Sequence, residues 1–129
     1  MEQKIVLYIE DNFHNRRIVR KILQSQGYTV LEAEDGVTGL EMVEREKPPL
    51  ILLDISLPGM DGLEVLARIK GDPELREIPV IAVTASAMRG DRERFLAAGC
   101  DDYLSKPIRA MDLIDKLREH YDSNGRETR

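Results

Sequence analysis

The stretch Leu50-Ile51-Leu52-Leu53-Asp54 runs four aliphatic residues straight into one carboxylate. Apolar side chains at consecutive positions suit a strand buried on both faces, as in a parallel sheet covered by helices. A polar, turn-rich break follows, with Ser56, Pro58, Gly59, Asp61 and Gly62. Asp54 therefore stands at the C-terminal end of a buried strand. Open parallel α/β sheets bind their ligands just outside such ends.

Two more runs are apolar throughout. Ile5–Ile9 ends on Glu10 and Asp11, and Ile78–Val83 ends on Thr84. Two weaker strand candidates, Thr29–Ala33 and Asp102-Tyr103-Leu104, are partly polar, and Ser105-Lys106-Pro107 follows the second. Helical patterns separate them. Asn12 is placed to cap a helix that runs to about Gln26 with Ile18, Val19, Ile22 and Leu23 as its stripe, and Gly27 stops it. A second helix opens at Gly36 and ends before Pro48-Pro49. A third carries Leu63, Val65, Leu66 and Ile69 and breaks at Gly71-Asp72-Pro73. A fourth, Met88–Ala98, is short of large apolar residues, which fits a loosely held element, and Gly99 ends it. The last carries Met111, Leu113, Ile114, Leu117 and Tyr121. Residues 122–129 read as a polar tail, leaving one domain over 1–121. Five strands alternating with five helices imply parallel βαβ units with right-handed crossovers. The three all-apolar strands belong in the centre and the two weaker ones at the edges.

Composition narrows the function classes. A chain of 129 residues suits a single domain, and 42% hydrophobic with 33% charged residues describes a globular one. A net charge of −5 argues against nucleic acid as a partner. The absence of Trp argues against an aromatic-lined ligand groove. Cys100 is the only cysteine, so no internal disulfide forms; it reads as a core residue in a reducing compartment. No signal peptide or spanning segment is visible, and the expectation is a cytoplasmic protein with no membrane contact. His14 and His120 lack metal-ligand spacing, and no GxGxxG or P-loop pattern occurs.

The C-terminal ends of parallel strands share one rim. Glu10, Asp11, Asp54, Thr84 and Lys106 therefore converge: three carboxylates, a hydroxyl and an ammonium. Clustered carboxylates repel and raise one another's pKa, and a hard divalent cation relieves them. The set reads as a Mg2+ and phosphoryl site in which a carboxylate nucleophile forms an acyl phosphate. Thr84 is placed to hydrogen-bond phosphoryl oxygens, and Lys106 to pair with them as a point charge.

These motifs, together with Leu57-Pro58-Gly59-Met60-Asp61-Gly62, Thr84-Ala85 and Lys106-Pro107, resemble a response-regulator receiver domain of two-component signalling, over residues 4 to 121. The resemblance implies a flavodoxin-like five-stranded parallel sheet in the order 2-1-3-4-5, with helices on both faces. It implies Asp54 as phosphoacceptor, and Mg2+ held by Asp11, Asp54 and the backbone carbonyl of Ser56. Glu10, a Glu where many members carry Asp, would reach the metal through water. Thr84 would be the switch hydroxyl, Tyr103 the switch aromatic, and Lys106 the phosphate-binding lysine before a cis proline bond. It also implies a phosphohistidine donor on a histidine kinase or phosphotransfer protein, and a downstream protein target on the fourth helix, last strand and last helix. Arg16, Arg17, Arg20 and Lys21 on the first helix are a candidate donor-docking face.

Such a protein assists its own phosphorylation and dephosphorylation without being a conventional turnover enzyme. With no output domain visible, it is expected to be a single-domain regulator of chemotaxis or cell-cycle type, with a receiver excised from a hybrid histidine kinase as the alternative. A Mg2+-dependent phosphohydrolase would carry an acid two residues after its nucleophile, where this chain has Ser56. A flavodoxin-like electron carrier would not place Glu10 and Asp11 against a flavin phosphate.

Overall fold

A computed structural model describes residues 4–57, 59–85 and 91–127, with side chains as far as Tyr121. The strands are β1 (Lys4–Ile9), β2 (Tyr28–Ala33), β3 (Ile51–Asp54), β4 (Val80–Thr84) and β5 (Asp102–Ser105). They make one parallel sheet in the order β2-β1-β3-β4-β5, so the three all-apolar runs are indeed central. The helices are α1 (Phe13–Ser25), α2 (Gly36–Glu46), α3 (Gly62–Lys70), α4 (Asp91–Ala97) and α5 (Ala110–Glu127).

Local chemistry sets the boundaries. The Asn12 side chain accepts from the Asn15 amide and caps α1, and Gly27 turns the chain at φ +88°. Asp35 caps α2 through the Thr38 amide, and Asp61 caps α3 through the Glu64 amide. β4 begins at Val80, two residues later than the sequence pattern implies, because Pro79 has no amide to give the ladder; its carbonyl accepts from Ile51 at 3.0 Å. The expected helix start at Met88, like Pro58 of the loop motif, lies outside the described residues.

The last helix corrects one expectation. It continues to Glu127, through part of the stretch that reads as a polar tail. Tyr121 anchors it: the hydroxyl donates to the Ile5 carbonyl, and the ring packs on Tyr28 with centroids 5.4 Å apart. From such an anchor each further residue adds a backbone hydrogen bond without a new nucleation cost, with no apolar stripe required.

Strand alternation divides the core into two layers. Leu7, Ile9, Ile51 and Leu53 face one side with Val43 of α2, Val65 and Leu66 of α3, and Phe95 of α4. Val6, Tyr8, Leu52 and Val83 face the other with Val19 and Leu23 of α1, and Leu113 and Leu117 of α5. All of these side chains are buried, and each aliphatic one contributes about 1.5–3 kcal/mol relative to exposure. The register Ile9↔Leu53 and Asp54↔Val83, with Thr84↔Ser105, lines up the strand ends on one rim.

The chain leaves that rim tightly. A Cβ added at Gly62 would lie 2.5 Å from both the Asp54 carbonyl oxygen and the Ile55 Cα, which are backbone atoms that cannot step aside. Gly62→Ala should therefore lower stability by about 1–3 kcal/mol, read as a shift in the urea midpoint. An unchanged midpoint would contradict this packing.

Candidate functional site

Asp54 ends a strand buried at every position and is 1% exposed, while Glu10, just past β1, is fully buried. Asp11 beside it is exposed. One carboxylate oxygen from each of the three lies within 4.8 Å of the others. An all-oxygen, anionic donor set of this kind fits a hard divalent cation and not a soft one.

Lys106 holds the two buried acids together. Its Nζ stands 2.9 Å from Glu10 Oε1 and 3.1 Å from Asp54 Oδ2. The position follows from β5: the Lys106 amide donates to the Thr84 carbonyl at 2.8 Å, and the Lys106–Pro107 bond is cis. Thr84 itself is buried at the end of β4, one residue beyond the Asp54↔Val83 pair. Tyr103 pairs with Ala82, is partly buried, and packs on the α2–α4 side of the sheet.

The two acids are unequally supported. Glu10 accepts from the Tyr8 hydroxyl at 3.0 Å, the Asn12 amide at 3.2 Å and the Asn15 side chain at 3.3 Å, besides Lys106. Among the described residues, Asp54 accepts from the Ser56 amide, at 3.0 Å, and from Lys106. Burial and the facing Glu10 push the Asp54 carboxyl up to about 6, outweighing the Ser56 and Lys106 bonds. Burial also opposes the Glu10 charge, but the facing Asp54 carboxyl, which takes the shared proton, then Lys106 and the Asn12 amide, hold the Glu10 carboxyl down at about 2. Burial works against the Lys106 charge as well, and its two carboxylate partners raise its pKa regardless. The Tyr8 phenol is driven upward by burial and by Glu10, so it stays a donor.

The sequence reading named Glu10, Asp11, Asp54, Thr84 and Lys106, and all five meet at this rim. It missed the support behind them. Tyr8 is two residues before Glu10, and strand alternation puts both on one face, so the signal was present. It also missed the partners of two arginines on the candidate docking face. Arg16 donates to the Glu10 carbonyl at 2.8 Å and pairs with Glu32 at 3.3 Å; Arg20 pairs with Glu32 at 2.6 Å. Both brace α1 against β2, whereas Arg17 and Lys21 remain exposed.

The fold, the acidic cluster and the shared lysine together define a class, and comparison with known proteins agrees with it. The sequence matches the response regulator receiver domain family over residues 6–118, and the chain belongs to that family. It is 43% identical over 117 residues to the polar-differentiation response regulator DivK of Brucella anthropi, covering 91% of this chain and 95% of that one. DivK of Brucella ovis matches to the same extent. The receiver domain of a sensor histidine kinase from Pseudomonas aeruginosa, solved with a magnesium ion in its active-site cleft, superposes with a TM-score of 0.84 at 36% identity over 92% of this chain and 97% of that one. A CheY-like receiver from Methanospirillum hungatei gives a TM-score of 0.88 at 32% identity, over 98% and 99%. Among the described residues no helix is long and apolar enough to cross a membrane.

The unequal support has a thermodynamic consequence. Because the folded-state pKa of Asp54 is raised, protonation favours folding; that stability is present below pH ~3.8 and is lost as pH rises through about 6. Without Mg2+, Asp54→Asn should thus be more stable than wild type by about 1–3 kcal/mol at pH 8, with the gain shrinking on titration towards pH 5. Urea unfolding at the two pH values measures it. A gain that grows on acidification would contradict the assignment.

Proposed function

We propose that this receiver is a phosphoacceptor switch in which Asp54 takes a phosphoryl group from a phosphohistidine on a histidine kinase or histidine phosphotransfer protein. The observation that carries the reading is the single ammonium of Lys106 between two buried carboxylates at a parallel-sheet rim. An oxygen of Asp54 attacks phosphorus in line, the nitrogen–phosphorus bond breaks, and the donor imidazole leaves. Lys106 follows the charge from the free carboxylate to the new phosphoryl oxygens. Water later attacks the acyl phosphate and releases inorganic phosphate. The domain so assists both steps of its own modification without conventional turnover.

Asp11 and Asp54 would hold Mg2+ together with the Ser56 carbonyl, and Glu10 would contact it through water. Bound there, the ion would neutralise charge on the phosphoryl oxygens. The acidic cluster supports this assignment, as does the magnesium bound by the Pseudomonas receiver.

The readout is a population shift. Moving an element from about 1:99 to about 99:1 needs about 5.5 kcal/mol of differential binding. One charge-assisted hydrogen bond supplies only about 1.5–3 kcal/mol. Thr84 and Lys106 must therefore act together, with Tyr103 and the α4–β5–α5 face repacking around them. On that face Asp102 binds Lys116 at 2.9 Å and His120 at 3.4 Å, so a downstream protein would meet an ordered polar surface. The donor would dock beside Lys106, on a groove of roughly 390 Å3 lined by Ile18, Ala85, Pro107 and Ile108. Phe13 and Ile18 nearby are 58% and 53% exposed, and Arg17 and Lys21 flank them. The likeness to DivK, which spans nearly all of that relative, supports a single-domain regulator over a receiver from a hybrid kinase.

Incubation with acetyl phosphate and Mg2+, read by intact mass, tests the reading. Wild type should gain one phosphoryl group and Asp54→Asn none, while Thr84→Ala should be modified yet bind its target weakly. Equal modification of Asp54→Asn, or normal target binding by modified Thr84→Ala, would overturn it.

A further inference from the structure

Glu10 is held more elaborately than charge balance requires. Its Oε1 receives the Tyr8 hydroxyl at 3.0 Å, the Asn15 amide group at 3.3 Å and the Lys106 ammonium at 2.9 Å. Its Oε2 receives the Asn12 backbone amide at 3.2 Å. A carboxylate oxygen offers about two lone-pair directions. Oε1 is therefore saturated by protein donors, and only Oε2 has a direction to spare.

Tyr8 is out of character with its surroundings. It is fully buried among Val19, Leu23, Leu52 and Val83, on the α1–α5 side of the sheet. A hydroxyl inside such an aliphatic layer is costly unless partnered, and its partner is Glu10. The extra methylene of Glu, relative to Asp, lets the carboxylate fold back to where Tyr8 and Asn15 wait on β1 and α1.

The geometry points to Tyr8 as a positioning residue for the phosphoryl site: with Asn15 it fixes Glu10 as the resting anchor of Lys106 and keeps Glu10 from ligating the metal directly. The inference rests on the Mg2+-assisted reading above and says how that reading is tuned. Each donor on Oε1 withdraws negative charge from the cluster, so Tyr8 and Asn15 lower its hold on a cation. They also leave Lys106 balanced between Glu10 and Asp54, ready to follow a phosphoryl group.

Calorimetric titration of the full chain with Mg2+ tests this. Tyr8→Phe keeps the ring, and Asn15→Ala is a second variant at a partly exposed site outside the strand core. Each should tighten Mg2+ binding about three- to tenfold, within the worth of one hydrogen bond to a charged group. In a Glu10→Gln background the same changes should shift the affinity by less than about twofold, since the coupling runs through that carboxylate. Unchanged or weaker Mg2+ binding by both variants overturns the inference, and so does the same tightening without Glu10. If wild type binds Mg2+ and the variants match it, this inference fails alone. If wild type binds no Mg2+, the site reading fails and takes the inference with it.

Discussion

One ammonium set between two buried carboxylates is the constraint on which the rim of this sheet depends. Glu10 and Asp54 are brought together because β1 and β3 are neighbours in register, and the sheet cannot part them. Taking both charges out of water is costly, and removing the ammonium would leave them buried and uncompensated, a loss of about 3–5 kcal/mol. Lys106 offsets that burden from the far side of β4, held by the β5 ladder and its turn. The arrangement is strained electrostatically towards Asp54, the acid with fewer donors among the described residues. A phosphoryl group is one way to relieve it, because it gives Lys106 a partner with more charge and more oxygens.

The rigidity around this point has a plain origin. The central strands bury apolar side chains on both faces and are packed by helices on each side. Asp54 thus stands on the least deformable part of the molecule. The elements proposed to move, around Thr84, α4 and Tyr103, lie at the β4–β5 side, where the last strand is only partly buried. A fixed acceptor beside a softer reader is what a two-state switch requires.

Much of this was legible in the sequence because the signals were local. Continuous apolar runs gave the central strands, and each ended on the residue that later proved to be at the rim. The support for Glu10 was less visible, since it joins residues on a strand, a cap and a helix. Arg16 and Arg20 show what a surface pattern leaves out: charges spaced along a helix do not reveal their partner, here Glu32 on β2. The helical course of residues 122–127 was hidden for another reason. A helix growing from an anchored end needs no stripe, and composition alone suggested a tail.

The central claim is that Lys106 passes from two carboxylates to a phosphoryl group on Asp54. A crystal structure with Mg2+ and beryllofluoride, a phosphoryl mimic, tests it most directly. The account predicts beryllium bonded to an Asp54 carboxylate oxygen, with Lys106 Nζ within hydrogen-bond distance of a fluoride and drawn away from Asp54. Beryllofluoride on another residue, or Lys106 still bridging Glu10 and Asp54 as it does in the free protein, would contradict it.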